Sequence, residues 1–423
     1  MYSEIIKNSA KLLSVDIFLK IGGFFVTIAY LSIMTKSDYG ILGYVLTIVS
    51  ILSGILSLGQ YVVQSKLYHD ESLAKNELEI NIHFVIFSSY VIFLIAGLST
   101  KEYWTHLLFS TNVSIIVVLA VLFLPLSSIL LQILSTYLYT SKKIREVRLL
   151  SISQFTISSV LGVLIVWLFN KKISSLELIL IWNFTSQILI LLNFYSTYFN
   201  FKDFNFKIIK TGLLRRNLKL GIPIAISSLT GILFDLGDKY MIQKYIDANS
   251  LGIFTFASVW ASIPLTLFSP FQNIWLPHFY KEKNLVVNLN RSRKIAFMWL
   301  CITILLLPLL SSIVYLISGK LIDLSYRSSI NSLCYLVLAG GFQIVSHLHI
   351  NFYNLIEMNR VLILISIFTG ISNIAMNYFL IPIFGLDGVA LATLFISGMS
   401  MIINIVVVNR SIYKILSTQN ETK

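Results

Sequence analysis

Charged residues leave long gaps along this chain. Asp, Glu, Lys and Arg are absent from 39–65, 80–100, 103–141, 149–170, 178–201, 248–280, 295–319, 328–356, 361–386 and 388–409. Each gap meets the roughly 20 residues a helix needs to cross about 30 Å of hydrocarbon. These gaps predict ten spans. Two further apolar runs, 12–34 and 220–246, carry charges inside them and bring the expectation to twelve. Backbone groups in lipid must be satisfied within one segment or in a closed barrel. The short alternating strands of a barrel are absent, so every span is read as an α-helix.

Lys and Arg are unevenly shared among the loops. With the N-terminus in the cytoplasm, segments 1–11, 65–79, 141–148, 200–219, 278–294, 357–360 and 410–423 hold 23 basic residues. The opposite loops hold 6, namely Lys36, Lys101, Lys171, Lys172, Lys320 and Arg327. The positive-inside bias therefore puts both termini in the cytoplasm, and it accounts for most of the net charge of +13. Contact with anionic lipid is a secondary role for these residues. No basic module with interleaved aromatics exists to bind nucleic acid.

Composition agrees. The chain of 423 residues is 56% hydrophobic and 12% charged, against about 25% charged in a soluble domain, so lipid must cover much of its surface. Cys301 and Cys334 lie in apolar runs, which argues for small buried hydrophobes rather than a disulfide framework. No Cys and His spacing suits a metal, and none is expected. The first apolar run contains Asp16 and Lys20 and is followed by no small-residue cleavage pattern, so it reads as a retained span.

The basic connector 200–219 splits the twelve spans into six and six. The expected lobes are 1–205 and 206–423. Tyr39-Gly40-Ile-Leu-Gly opens the second span and Ser250-Leu-Gly252-Ile-Phe opens the eighth, each with a glycine at a tight turn before an apolar helix. The even split and the matched positions suggest a parallel repeat about an axis along the membrane normal.

Charges inside the membrane fall in spans one and seven, which head the two halves. Asp16 and Lys20 lie in the first; Asp235, Asp238 and Lys239 in the second. The Asp-x-x-x-Lys spacing puts acid and base on one helix face. If Gly40 matches Gly252, Lys239 lies two turns further along its helix than Lys20, about 10 Å along the membrane normal. A charge at mid-bilayer costs about 2.5–3.5 kcal/mol and usually faces a bundle interior or an aqueous cavity. Lys20 and Lys239 are thus candidates to receive an anionic substrate group. The acids are candidates for a coupling proton or cation, or for structural ion pairs with the lysines. Lys244 is expected to snorkel to the outer interface. Amides recur in the spans, among them Gln60, Gln64, Gln272, Asn273, Gln343, Asn351, Asn373 and Asn377. Gln60, Gln64, Gln272 and Asn273 are candidates for sugar contact, while interhelical hydrogen bonding is the plainer role for each amide. His347 and His349, two residues apart on a helix, point to different faces and form no metal pair. Pro264, Pro270 and Pro277 in span eight and Pro125 in span four predict kinks.

No Walker loop, G-x-S-x-G elbow or H-E-x-x-H is present. The segments Leu31-Ser-Ile-Met-Thr-Lys-Ser-Asp-Tyr-Gly, Gly221-Ile-Pro-Ile-Ala-Ile-Ser-Ser-Leu, Asp238-Lys-Tyr-Met-Ile and Asn373-Ile-Ala-Met-Asn-Tyr-Phe-Leu-Ile-Pro-Ile-Phe-Gly-Leu-Asp-Gly-Val-Ala-Leu-Ala-Thr resemble the polysaccharide transporter family of the multidrug/oligosaccharidyl-lipid/polysaccharide exporter superfamily, which includes the Wzx-type O-antigen flippases. The resemblance covers nearly the whole chain in hydropathy, span number and loop length. It implies an all-α membrane protein with two six-helix lobes in a V-shaped exporter fold. It further implies a non-enzymatic flippase in the bacterial inner membrane that moves an undecaprenyl-pyrophosphate-linked oligosaccharide, such as an O-antigen repeat unit of lipopolysaccharide biosynthesis, by alternating access. The basic lumen residues of the family receive the pyrophosphate, a role that Lys20 and Lys239 match. Expected partners are the lipid-linked substrate, the bilayer, a polysaccharide polymerase and a chain-length regulator. No organic cofactor is expected; H+ or Na+ would be the coupling ion. Two other readings stand beside this one: a small-molecule or drug exporter of the same fold, and a membrane polysaccharide polymerase or ligase.

Overall fold

A computed structural model of the chain describes all residues except 1, 69, 71, 72, 110–112, 170–172, 200–208, 283, 357, 422 and 423. Within helices, the side chains of 2–17, 223, 224, 226–233, 270, 273, 274, 277, 354, 359 and 418–421 also lie outside the description.

The described residues are helical nearly throughout. The first half runs through α1 (Tyr2–Ile33), α2 (Lys36–Leu56), α3 (Gln60–Leu67), α4 (Lys75–Ser99), α5 (Lys101–Leu108) and α6 (Ile115–Thr140). It continues through α7 (Ile144–Ser153), a π-helical stretch (Gln154–Val160), α8 (Leu161–Phe169) and α9 (Ser175–Tyr198). The second half comprises α10 (Thr211–Tyr245), α11 (Ala248–Ala261), α12 (Ile263–Lys281), α13 (Leu285–Ile317), α14 (Ser329–Leu355), α15 (Asn359–Phe384) and α16 (Leu386–Glu421). Ten segments are long and apolar enough to cross a bilayer, and α1 contributes the shorter apolar stretch Phe18–Ile33. With α1 and α10 the count reaches the expected twelve, and the protein is a multi-pass membrane protein.

Where the helices break has local causes. The charge-free run 103–141 holds two elements, because α5 ends at Leu108 and the span proper begins at Ile115. Span two breaks at Leu58 and Gly59, both at positive φ (46° and 67°). Span eight breaks at Ser262, and Pro264 sits in the first turn of α12, where its missing N–H is not needed. In span five the π-helical stretch frees carbonyls that neighbours satisfy: Trp182 Nε1 donates to Ile157 O and Tyr30 Oη to Ser159 O. Contrary to expectation Cys301 is exposed, and Cys334 is half-buried beside Ser311.

Contacts divide the chain into two compact units, 1–232 and 233–423. The division falls inside α10. The first half of α10 belongs to the first unit because Leu213 and Leu220 pack into the core built by Leu56, Val63, Leu78, Ile82 and Ile133. Two ion pairs fasten the same stretch to the α3–α4 hairpin, Lys210 to Glu77 at 2.8 Å and Arg216 to Asp70 at 2.9 Å.

The units, each taken by itself, share one packing feature. In the first, α6 packs against both α2 and α9; in the second, α14 packs against both α11 and α16. These are spans two, four and six, and eight, ten and twelve. The helix starts agree as well. Thr35 caps α2 by accepting from Asp38 N, and Asp247 caps α11 by accepting from Ser250 N. The two caps stand in the same register as Gly40 and Gly252, so hydrogen bonding supports the alignment that the sequence suggested.

One backbone contact leaves no room for a side chain. A Cβ on Gly221 of α10 would lie 2.1 Å from Leu58 O, and one on Gly59 would lie 2.4 Å from Gly221 O. Gly221→Val should therefore lower thermal stability in detergent by about 1–3 kcal/mol, as overpacking does. Gly212→Ala, in the same helix with nothing within 4 Å of its Cβ, should leave stability nearly unchanged.

Candidate functional site

Of the four intramembrane charges singled out by the sequence whose side chains are described, the fold encloses one acid. Asp238 on α10 is 5% exposed. Asn373 Nδ2 and Asn377 Nδ2 of α15 both donate to its Oδ1 at 2.7 Å. Thr393 Oγ1 of α16 donates to its Oδ2 at 2.7 Å and lies 3.1 Å from the carbonyl of Val389. Three helices of the second unit therefore meet at one carboxylate.

The local sequence explains the convergence. Asn373 and Asn377 are four residues apart, which puts both amides on one face of α15. Gly385, with φ +57° and ψ −130°, makes the turn that returns α16 alongside α15; only glycine enters that region without strain. Asp238 and Asn377 each lie seven residues before the end of their helix, and Thr393 lies seven residues after the start of its own. At 1.5 Å per residue the three share a depth of about 10 Å below the helix ends.

The donors also hold oxygen in reserve. Both amides present nitrogen to Asp238, while Asn373 Oδ1 and Asn377 Oδ1 are buried and, among the described residues, make no hydrogen bond. Leaving such groups unpaired is costly. A half-turn about each Cβ–Cγ bond would bring the two carbonyl oxygens in beside the carboxylate and the Thr393 hydroxyl. The resulting set of four oxygen-bearing groups carries one negative charge, and such donors suit a hard cation. Among the described residues no group of three His, Cys, Asp or Glu forms a metal cluster.

The remaining candidates lie elsewhere. Asp235 is exposed and Lys239 half-buried on α10, in the second unit; Lys20 is exposed on α1, in the first. The side chains of Asp16 and Asn273 fall outside the described residues. Gln60 is fully buried and donates to Leu58 O at 3.3 Å. Gln272 donates to Asn351 Oδ1 at 3.1 Å. Gln64 donates to both oxygens of Glu79 at 2.9 Å. Within this structure these three glutamines serve as interhelical or local hydrogen-bonding groups.

Sequence reasoning missed two features. Glu79, assigned to a cytoplasmic loop, is buried one turn inside α4. Beside it, His83 Nδ1 donates to the Glu79 carbonyl and His83 Nε2 accepts from Tyr195 Oη. Thr393 was not singled out either, although the i, i+4 asparagines opposite it marked the polar face.

Solved structures share this architecture. The chain resembles the lipid II flippase MurJ in an inward closed conformation, at 14% identity over 96% of this chain and 87% of that chain, with a TM-score of 0.76. It resembles an inward-facing multidrug resistance MATE family transporter of the MOP superfamily at 15% identity over 97% and 99% of the two chains, with a TM-score of 0.72. A MOP superfamily transporter from Pyrococcus furiosus aligns at 12% identity over 97% and 95%, with a TM-score of 0.55. At such identities the likeness establishes the fold alone. No curated protein sequence matches the chain. The sequence pattern of one family, described as polysaccharide biosynthesis protein, matches residues 5–283, well over half of the chain, and the protein belongs to that polysaccharide biosynthesis family.

Proposed function

We propose that the protein is a transporter that flips a lipid-linked polysaccharide repeat unit, with a diphosphate between lipid and sugar, from the cytoplasmic to the outer leaflet of a bacterial inner membrane. Membership of a polysaccharide biosynthesis family supports the sugar chemistry. Exporter folds shared with a lipid II flippase and a multidrug transporter support movement of a ligand rather than bond making. The observation that carries the transport reading is the Asp238 cage. A buried acid that joins three membrane helices through rotatable amides is an element that one bound cation can tighten.

The coupling ion is a monovalent metal cation, with sodium the natural probe. A proton needs one carboxylate oxygen and leaves the two amide oxygens idle. A desolvated cation can use oxygens of all four groups and cancels the single charge. Lys20 and Lys239 receive the anionic diphosphate, one from each repeat, as point charges rather than through the fork of an arginine. The drug-exporter alternative lacks a reason for intramembrane lysines. The polymerase alternative lacks extramembrane loops large enough for an acceptor site.

Three outcomes follow. A deletion strain should accumulate the lipid-linked unit in the cytoplasmic leaflet and lose surface polysaccharide; normal surface polysaccharide would end the flippase reading. Lys20→Ala with Lys239→Ala should abolish that complementation at normal protein levels, and full complementation by the double variant would remove both lysines from the substrate path. Sodium should raise the melting temperature of the purified protein, by up to about 2.7 kcal/mol of stability at one hundred times the dissociation constant. Asp238→Asn and Thr393→Val should erase that response, the latter at a cost of about 1–3 kcal/mol for the lost partner. A melting temperature indifferent to sodium in the parent protein would rule out the cation.

A further inference from the structure

The start of α10 carries four basic residues in ten positions: Lys210 just before it, then Arg215, Arg216 and Lys219. They divide sharply by partner. Lys210 and Arg216 are held by Glu77 and Asp70. Arg215 and Lys219 are exposed, and among the described residues no carboxylate pairs with either. The unpaired two stand at i and i+4, where like charges repel by a few tenths of a kcal/mol. Arg215 also follows directly on the first turn of α10, at a helix end whose dipole disfavours cations and attracts anions. The arrangement is unfavourable until an anion arrives.

The surface around them is amphipathic. Arg215 and Lys219 border a shallow, open groove together with Thr211, Leu214, Leu218 and Ile222, all on one side of α10. The opposite face of the same helix, with Leu213, Asn217 and Gly221, is buried, so the groove lies on the free face. Polarity changes along it. Thr211 and Arg215 lie at the cytoplasmic end, and Leu218 and Ile222 lead into the apolar run that begins near residue 220. An occupant should therefore carry its charge at the interface and its apolar part in the hydrocarbon. The two cations sit one turn apart, with Cβ atoms about 5–6 Å from each other, a spacing that two adjacent phosphates can bridge.

We infer that Arg215 and Lys219 form a reception site for the diphosphate of a polyprenyl-linked lipid in the cytoplasmic leaflet, the apolar side chains of the groove taking the first part of its tail. The site is separate from Lys20, Lys239 and Asp238, and it rests on the reading that the transported lipid carries a diphosphate. Arg215 supplies paired donors to phosphate oxygens and Lys219 a second positive charge.

The test is equilibrium binding of polyprenyl diphosphate to the full-length protein in nanodiscs, with phosphatidylglycerol and inorganic pyrophosphate as competitors. R215Q/K219Q should bind the polyprenyl lipid at least about tenfold more weakly, the loss of one to two charge-assisted contacts. K210Q/R216Q removes the same charge from the same stretch of chain, on the paired side, and should stay within about twofold of the parent. Pyrophosphate should compete only at much higher concentration than the lipid, because it lacks the tail. Unchanged binding in R215Q/K219Q would overturn the groove while leaving the substrate reading intact. Equal weakening in both double variants would reduce the site to a general positive field and overturn it. A parent protein that holds phosphatidylglycerol as tightly as polyprenyl diphosphate would remove the substrate reading, and this inference with it.

Discussion

A carboxylate surrounded by hydrocarbon must be matched by donors or it destabilises the fold that contains it. Asp238 meets that demand with two amides and a hydroxyl from two other helices. The requirement is strong because the low dielectric that makes each bond to the acid valuable also makes a missing bond expensive. It fixes α10, α15 and α16 at one common depth and so sets the register of half the second unit. Yet the match is incomplete in one respect. Every donor faces the acid, and the carbonyl oxygens of the same amides are left without partners. A site that needed only a neutralised acid would have no use for two asparagines on one helix face.

The two repeats share a plan without sharing this chemistry. The register set by the caps of α2 and α11 aligns Asp238 with Val26 and Lys239 with Thr27. The first unit thus has an apolar residue where the second has its enclosed acid. Its own interior polar contacts are of other kinds. Gln187 accepts from Ser127, the hydroxyls of Ser158 and Ser186 hydrogen-bond to one another, and the buried Glu79 lies one turn from a helix end. Interhelical bonds between neutral groups in membranes contribute modestly, about 0.6 kcal/mol on average. They hold a bundle together; Glu79, by contrast, is a carboxylate, held by Gln64 of the neighbouring α3. On the proposed reading, coupling is assigned to the second unit, where two amides and a hydroxyl from two other helices converge on Asp238.

What the sequence made legible depended on how far apart the interacting residues lie. Gaps between charges located the spans because hydrocarbon penalises each charge independently of the fold. The Gly40–Gly252 correspondence was legible because helix caps are local, formed within three residues. The partners of Asp238 were not legible, since Asn373 and Thr393 lie 135 and 155 positions away in the chain. The spacing of Asn373 and Asn377 did record a polar helix face but not what it faced. Glu79 was hidden for a different reason. It adjoins a charge-free run and was counted with the loop, whereas α4 begins at Lys75 and carries it inward. The basic connector likewise did not show that Lys210 and Arg216 pair with Glu77 and Asp70 of another hairpin.

Helix α10 gathers these features on one unbroken run of backbone. Its first half is fastened to the α3–α4 hairpin by ion pairs and by the Gly59–Gly221 contact, and it presents Arg215 and Lys219 on its free face. Its second half carries Asp238 and Lys239. If binding of a cation at Asp238 and of a diphosphate at Arg215 and Lys219 is coupled, the coupling is reciprocal: whatever factor the cation adds to lipid binding, the lipid adds to cation binding. A transporter needs such a linkage, because an ion that bound equally well with and without cargo would run down its gradient without moving anything. Both proposed sites draw on residues of α10, Arg215 and Lys219 in the first unit and Asp238 in the second, so on the proposed reading one helix carries a part of each partner to that condition.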